Sequence, residues 1–247
     1  MIKEQWTRTV AEGWGLFLPP ARPSLSELTA IEQYVVDLKK NNPELQVAIL
    51  GSTPEFRDIC QAYNIAYKCI DYNKQNFIDL RKYMLHKDTD DKVIVGDWRE
   101  MDFSDKFHLF IGDLATTVTP VEDHEKIYES IIKHGYDKAE FILKVPVREN
   151  NDRLTHQEIF ENYRKNLSYM EPFSAVWIDI LLADYNLEKD TMHCQISDEE
   201  LHKSFVAGII IEDEFISFKK RWDVLGDFQM NIPLRKEFLD KLSKYFD

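Results

Sequence analysis

Glycine-rich turns are missing from this chain of 247 residues, which holds only eight glycines. No Gly-Lys-Ser/Thr follows an apolar run, which excludes a P-loop. No Gly-x-Gly-x-x-Gly turn occurs either, and a dinucleotide pyrophosphate needs such a turn to approach the backbone. Cysteine is scarcer still: Cys60, Cys69 and Cys194, with no Cys-x-x-Cys pair. We read them as reduced thiols, two of them in the core, of a cytoplasmic protein. His193-Cys194 has no second spaced pair and no His-Glu-x-x-His is present, so no metal site is expected. The absence of a Gly-x-Ser-x-Gly elbow leaves a Ser-His-Asp hydrolase without support. Positive charge is in deficit, with 31 Lys and Arg against 44 Asp and Glu and a net charge of −13. Such a surface repels a phosphate backbone and an anionic membrane, so neither is an expected partner. The N-terminal Met-Ile-Lys-Glu-Gln-Trp has no apolar signal segment, and the longest unbroken apolar run, 205–211, is too short to span a bilayer.

What is present is a core. Apolar residues make up 44% of the chain, enough for one substantial core or a core with a small appended region. Residues 46–71 organise it. The run 47–50 is short, apolar and closed by Gly51, as a buried parallel strand is. Thr53 suits an N-cap, Pro54 the first helical position, and Glu55 the positive end of the helix dipole. Phe56, Ile59, Cys60 and Tyr63 then fall at helical spacing. A second strand over 65–70 ends at Asp71. The pattern is strand, tight turn, helix, strand, acid. In a doubly wound sheet the turn holds a ligand, and the acid accepts hydrogen bonds from ribose hydroxyls.

The prolines of 18–24 break the leader, and Ser24 or Ser26 can cap a helix reaching about residue 40. Trp6, Trp14 and Phe17 precede it; they either pin the leader to the domain surface, which we expect of the tryptophans, or make it a lid. Later runs predict a helix after Asn73 to about 85, a charged loop over 86–91, strands at 93–95, 107–111 and 141–145, and a helix over 121–134. Beyond Pro146 the rhythm changes to helices over 154–167 and 173–184 and one capped by Ser197 with Glu200 in its first turn. Late strands are expected at 205–211 and 227–232, and a closing helix over 233–246. The expected organisation is a leader and helix (1–45), a ligand-binding α/β core (46–146), and a variable C-terminal part (147–247) that completes the sheet and shapes the acceptor site.

Asp71, Asp97 and Asp113 each stand at or just past a strand end. One such aspartate is an ordinary turn former; three on one sheet edge call for donors or a cationic ligand centre. These residues resemble class I S-adenosylmethionine-dependent methyltransferases. The likeness rests on Val47-Ala48-Ile49-Leu50-Gly51, Asp71, Gly96-Asp97-Trp98 and Leu109-Phe110-Ile111-Gly112-Asp113. Leu-Gly-Ser-Thr-Pro-Glu resembles a bacterial branch in which Leu-Gly-x-Thr-Pro-Glu replaces the Gly-rich turn, and Pro20-Ala21-Arg22-Pro23-Ser24 resembles that branch's leader. The likeness covers roughly residues 14–146.

The resemblance implies a Rossmann-like, doubly wound, mostly parallel sheet with flanking helices, and S-adenosylmethionine as cofactor. It implies that Gly51, Ser52 and Thr53 line the methionine portion, that Asp71 holds the ribose with Tyr72 beside the adenine, and that Asp97, with Trp98 adjacent, accepts from the adenine amino group. Asp113 then faces the methionine amino group or the acceptor, and Arg22 the cofactor carboxylate. Ser52 and Thr53 restrict close backbone approach but offer hydroxyls instead. The expected activity is in-line methyl transfer to a small molecule or peptide side chain. The alternative is a non-catalytic methyltransferase-like domain that binds a protein partner or senses a nucleotide. His124, His156 and Tyr163 are the candidate general bases, although a surface histidine or a half-buried tyrosine is the reading we favour for each.

Overall fold

The computed structural model describes residues 10–87 and 92–246. Trp6 and part of the charged loop expected at 86–91 lie outside the described residues. Helices α1 (Leu25–Asn41), α2 (Pro54–Ala62), α3 (Lys74–Leu80) and α4 (His124–His134) alternate with strands β1 (Gln46–Leu50), β2 (Ala66–Asp71), β3 (Lys92–Val95), β4 (Phe107–Asp113) and β5 (Gly135–Lys144). The five strands are all parallel, in the order β3-β2-β1-β4-β5. This is the expected α/β, Rossmann-like doubly wound sheet.

Local signals explain the elements. Ser24 closes a capping box with Glu27 at the start of α1. Pro54 opens α2, although the Thr53 side chain makes no capping hydrogen bond. Packing alternates with the pleat of β1: Val47 and Ile49 pack with Phe56, Cys69 and Leu109 on one face, and Ala48 and Leu50 with Ile70, Phe110 and Ile127 on the other. Both faces are covered, as an all-parallel sheet requires.

The C-terminal part differs from expectation. It does not complete the sheet. Helices α5 (His156–Asn162), α6 (Pro172–Ala183), α7 (Cys194–Val206), α8 (Glu212–Leu225) and α9 (Arg235–Leu242) form a layer with a separate antiparallel pair, β6 (Met192–His193) and β7 (Gln229–Met230). The apolar run 205–211 is not a strand. It straddles the end of α7 and a turn in which Gly208 takes φ +72°, a left-handed helix stop. Ser197 does not cap a helix. It lies inside α7, facing inward, and donates to Asp184 at 2.5 Å. Of the strand expected at 227–232 only β7 forms. The leader packs on this helical layer: Trp14 and Phe17 share a buried cluster with Phe173, Trp177, Phe218 and Trp222. Among the described residues, no helix is long and apolar enough to cross a membrane.

Candidate active site

The strand order reverses between β1 and β4, the place where a doubly wound sheet opens a crevice beyond the carboxyl ends of its strands. The turn after β1 enters it. Gly51 holds φ +94°, a conformation L side chains rarely adopt, and its N–H donates to the Ile70 carbonyl at 2.8 Å. The Trp98 indole donates to the same carbonyl at 2.6 Å, which fixes its ring over the turn.

Two adjoining cavities share Gly51, Thr53, Trp98, Trp14 and Phe228. The smaller, about 130 Å³, adds Ser52, Asp71, Asn76 and Leu80. The larger, about 160 Å³, adds Asp113 of β4, Phe17 of the leader, and Phe173 and Trp177 of α6. Each lies below the roughly 300 Å³ at which small-molecule sites usually begin, and the two together approach it.

Asp71 is 6% exposed. Burial raises its pKa, opposed by a hydrogen bond from the Ser52 hydroxyl and one from the Asn73 N–H at 2.9 Å. Asp113, at the end of β4, has a side chain only 3% exposed. Its Oδ1 lies 3.3 Å from Lys144 Nζ, which stands opposite it on β5, but without hydrogen-bond geometry. Burial pushes this carboxyl up to about 7, with Lys144 pulling the other way.

Asp97 is differently engaged. Arg99 chelates it, with Nε 2.8 Å from Oδ1 and Nη2 2.6 Å from Oδ2, and reaches on to Asp123 at 2.7 Å. Neither Asp97 nor the half-buried Tyr72 lines the two cavities. Arg22 also stays outside them. It pairs with Glu55, which accepts from the Trp14 indole at 3.4 Å as well, and its guanidinium lies 5.6 Å from the Trp14 ring centre. The leader is thus both pinned and a cover. Trp14 and Phe17 pack into the helical layer and wall the cavities, while Arg221 Nε and Lys144 Nζ each donate at 2.7 Å to its carbonyls, those of Leu16 and Pro20.

The three candidate bases stand elsewhere. His124 is buried and its Nε2 faces the Thr116 and Thr119 carbonyls at 2.9 and 3.1 Å, so that nitrogen carries the proton. Burial lowers its pKa. His156 sits between Ser204 Oγ at 2.8 Å and Asp184 at 3.1 Å. Tyr163 donates to the Met170 carbonyl at 2.9 Å. None of them lines either cavity, and each is spent on holding its own surroundings.

Several site residues were missed from the sequence. Phe173 and Trp177 are four apart on one apolar helix, a visible signal of a shared face. Phe228 and Asn231 gave none. Asn231 Nδ2 donates to the carbonyls of Thr116 at 2.9 Å, Thr117 at 3.0 Å and Thr119, tying the loop after β4 to the C-terminal layer. Among the described residues, no group of three or more His, Cys, Asp or Glu could hold a metal ion.

No protein-family model matches this sequence. No curated protein matches it either. Solved structures do. A putative Zn-dependent alcohol dehydrogenase from Rhodobacter sphaeroides superposes with a TM-score of 0.57 at 14% identity, over 98% of this chain and 86% of that one. The CcbJ methyltransferase from Streptomyces caelestis superposes with a TM-score of 0.50 at 8% identity, over 61% of each chain. An S-adenosylmethionine-dependent methyltransferase from Clostridium acetobutylicum matches over 47% of this chain and 49% of its own, at 11% identity and a TM-score of 0.40, too slight to argue from. This chain thus spans only about half to three-fifths of those two methyltransferases. At such identities the likeness is one of fold, and the two stronger matches carry different chemistries on it.

Proposed function

We propose that this protein is an S-adenosylmethionine-dependent methyltransferase acting on a small molecule or a peptide side chain. The observation that carries the reading is the pair of joined cavities at the switch point. One has a buried carboxylate, Asp71, hydrogen-bonded to Ser52 of the first turn, and the other has a second carboxylate, Asp113, among aromatic walls. The residues fit the cofactor. Asp71 offers lone pairs beyond those used by Ser52 and Asn73, the Ser52 hydroxyl can turn to a ligand, and Gly51 leaves the turn without a side chain.

S-adenosylmethionine bound there supplies an electrophilic methyl group on a sulfonium. The chain's own work is to hold and align. Asp71 and Ser52 take the ribose diol, and Gly51, Thr53 and Trp98 support the methionine portion. Phe173, Trp177 and the leader exclude water and set the acceptor's direction of approach, since in-line alignment at near-attack distance supplies much of the rate. Asp113 stands on the wall of the larger cavity, where its carboxylate can take a proton from the acceptor. With the three candidate bases placed elsewhere, it is the titratable side chain among the described residues on the wall of the larger cavity. Acidic charge argues against a nucleic-acid acceptor, and three free buried cysteines suit the cytoplasm.

A second reading is a non-catalytic relative that binds a protein partner or senses a nucleotide. It is favoured by the acids already being engaged, Asp97 by Arg99 and Asp71 by Ser52. Calorimetric titration with S-adenosylmethionine and S-adenosylhomocysteine separates the two. Methyl transfer requires micromolar binding that Asp71→Ala removes; a folded protein that binds neither ligand leaves only the second reading.

A further inference from the structure

The larger cavity is unusual in its chemistry. Six aromatic residues stand around it: Trp14 and Phe17 from the leader, Trp98 from the β3 loop, Phe173 and Trp177 from α6, and Phe228 before β7. Among the described residues the one ionisable group on its wall is Asp113, whose Oδ1 is buried and lies 3.3 Å from Lys144 Nζ. Lys144 pairs with it from outside the cavity. Its ammonium lies outside the wall, donating to the Pro20 carbonyl at 2.7 Å and standing 3.7 Å from Glu27. The nearby charges also leave an excess of acid, with Asp113, Glu55 and Glu27 facing Lys144 and Arg22. Aromatic faces attract a cation through their quadrupoles, most strongly where water is excluded.

We infer that this aromatic cavity with Asp113 on its wall receives an aliphatic secondary or tertiary amine as its ammonium ion, and that the methyl acceptor is this amine nitrogen. The inference rests on the methyl-transfer reading for its chemistry, but the cation preference of the cavity stands on the wall residues alone. The ammonium first gives its proton to the Asp113 carboxylate. The freed nitrogen lone pair then forms a bond to the methyl carbon. The carbon–sulfur bond breaks, and its electron pair stays on sulfur as a neutral thioether. The product is the methylated ammonium, again a cation facing the rings. A carboxyl that burial pushes up to about 7 accepts that proton more readily than an ordinary aspartate.

The test compares choline with its uncharged isostere 3,3-dimethylbutan-1-ol, titrated into the full chain in saturating S-adenosylhomocysteine and followed by tryptophan fluorescence. Choline should bind about tenfold or more tighter than the isostere. Asp113→Asn, which keeps the shape of the wall, should bring the two within about threefold of each other, the margin left to the rings alone. Equal binding of the two probes by the wild type, or no binding of either, overturns the inference. So does choline that is displaced by S-adenosylhomocysteine, because the cage then belongs to the cofactor's own sulfonium. If S-adenosylhomocysteine itself does not bind, the methyl-transfer reading fails, and the same probe ratio measured without it still decides whether the cavity selects a cation.

Discussion

Replacing Asp113 by asparagine should stabilise the protein at neutral and alkaline pH and change little at pH 4. Burial lifts this carboxyl from 3.8 to about 7, with Lys144 opposing. Between those values the unfolded chain has released a proton that the folded chain keeps. The folded state then binds more protons, so unfolding free energy falls as pH rises through this window. A rise of about three pH units at 1.36 kcal/mol per unit comes to about 4 kcal/mol. The side chain is 3% exposed, so solvent screens little of it. Asparagine has the same shape and no such titration. Urea unfolding of both proteins at several pH values from 4 to 8.5, with equal slopes, reads the difference directly. Asp71 and Asp123, also shifted, are common to both proteins, while Glu27, which shares Lys144 with Asp113, adds a smaller change of its own. The variant should gain on the wild type steadily from pH 4 to about 7 and then level off. A difference that is flat with pH, or one that shrinks as pH rises, refutes the placement of Asp113 as a buried acid.

Other expectations concern the groups that hold the site rather than act in it. Asn231→Ala removes the donor shared by the Thr116, Thr117 and Thr119 carbonyls, and should cost about 2–4 kcal/mol in urea unfolding at roughly 1 kcal/mol per bond plus the unsatisfied acceptors. A loss under about 1 kcal/mol would mean that the loop after β4 is held by other means. His124→Phe leaves two buried carbonyls without their donor, and should cost about 2–3 kcal/mol while S-adenosylhomocysteine affinity per folded molecule stays unchanged. Lost affinity at full stability would return His124 to the ligand.

The sheet was legible because buried parallel strands are written as continuous apolar runs bounded by turn residues. The run 47–50, with Gly51 behind it and Pro54 three residues on, admits little else. The run 205–211 has the same composition and failed, since a short apolar run does not distinguish a strand from a helix end. Gly208 within it was the clue, as a left-handed stop between α7 and α8. The strand-end acids were legible as positions, but their partners followed a different logic. Arg99 is two residues from Asp97, and such a local pair can be seen in a sequence. Lys144 meets Asp113 only because β5 lies beside β4 in one register. Ser52 meets Asp71 only because β1 lies beside β2. Strand order has to be known before either contact can be written down.

The same dependence runs through the site's walls. The sheet edge contributes Gly51, Asp71 and Asp113, the part of the crevice that any doubly wound protein could reuse. What makes the larger cavity particular comes from outside the sheet, from the leader and from α6 and the β7 segment. Those pieces are mutually braced. Arg221 of α8 holds the leader through the Leu16 carbonyl, and Asn231 after β7 holds the loop that follows Asp113. Phe173 and Trp177 reach the cavity while packed in the same buried cluster as Trp14 and Phe17. A change in the helical layer therefore moves cavity wall and leader together, while Asp71 and Gly51, fixed by the β1–β2 ladder, stay in place. The proposed acceptor choice therefore follows the part of the chain whose sequence has no strand rhythm to read, a part that through Trp14 and Phe228 also walls the smaller cavity.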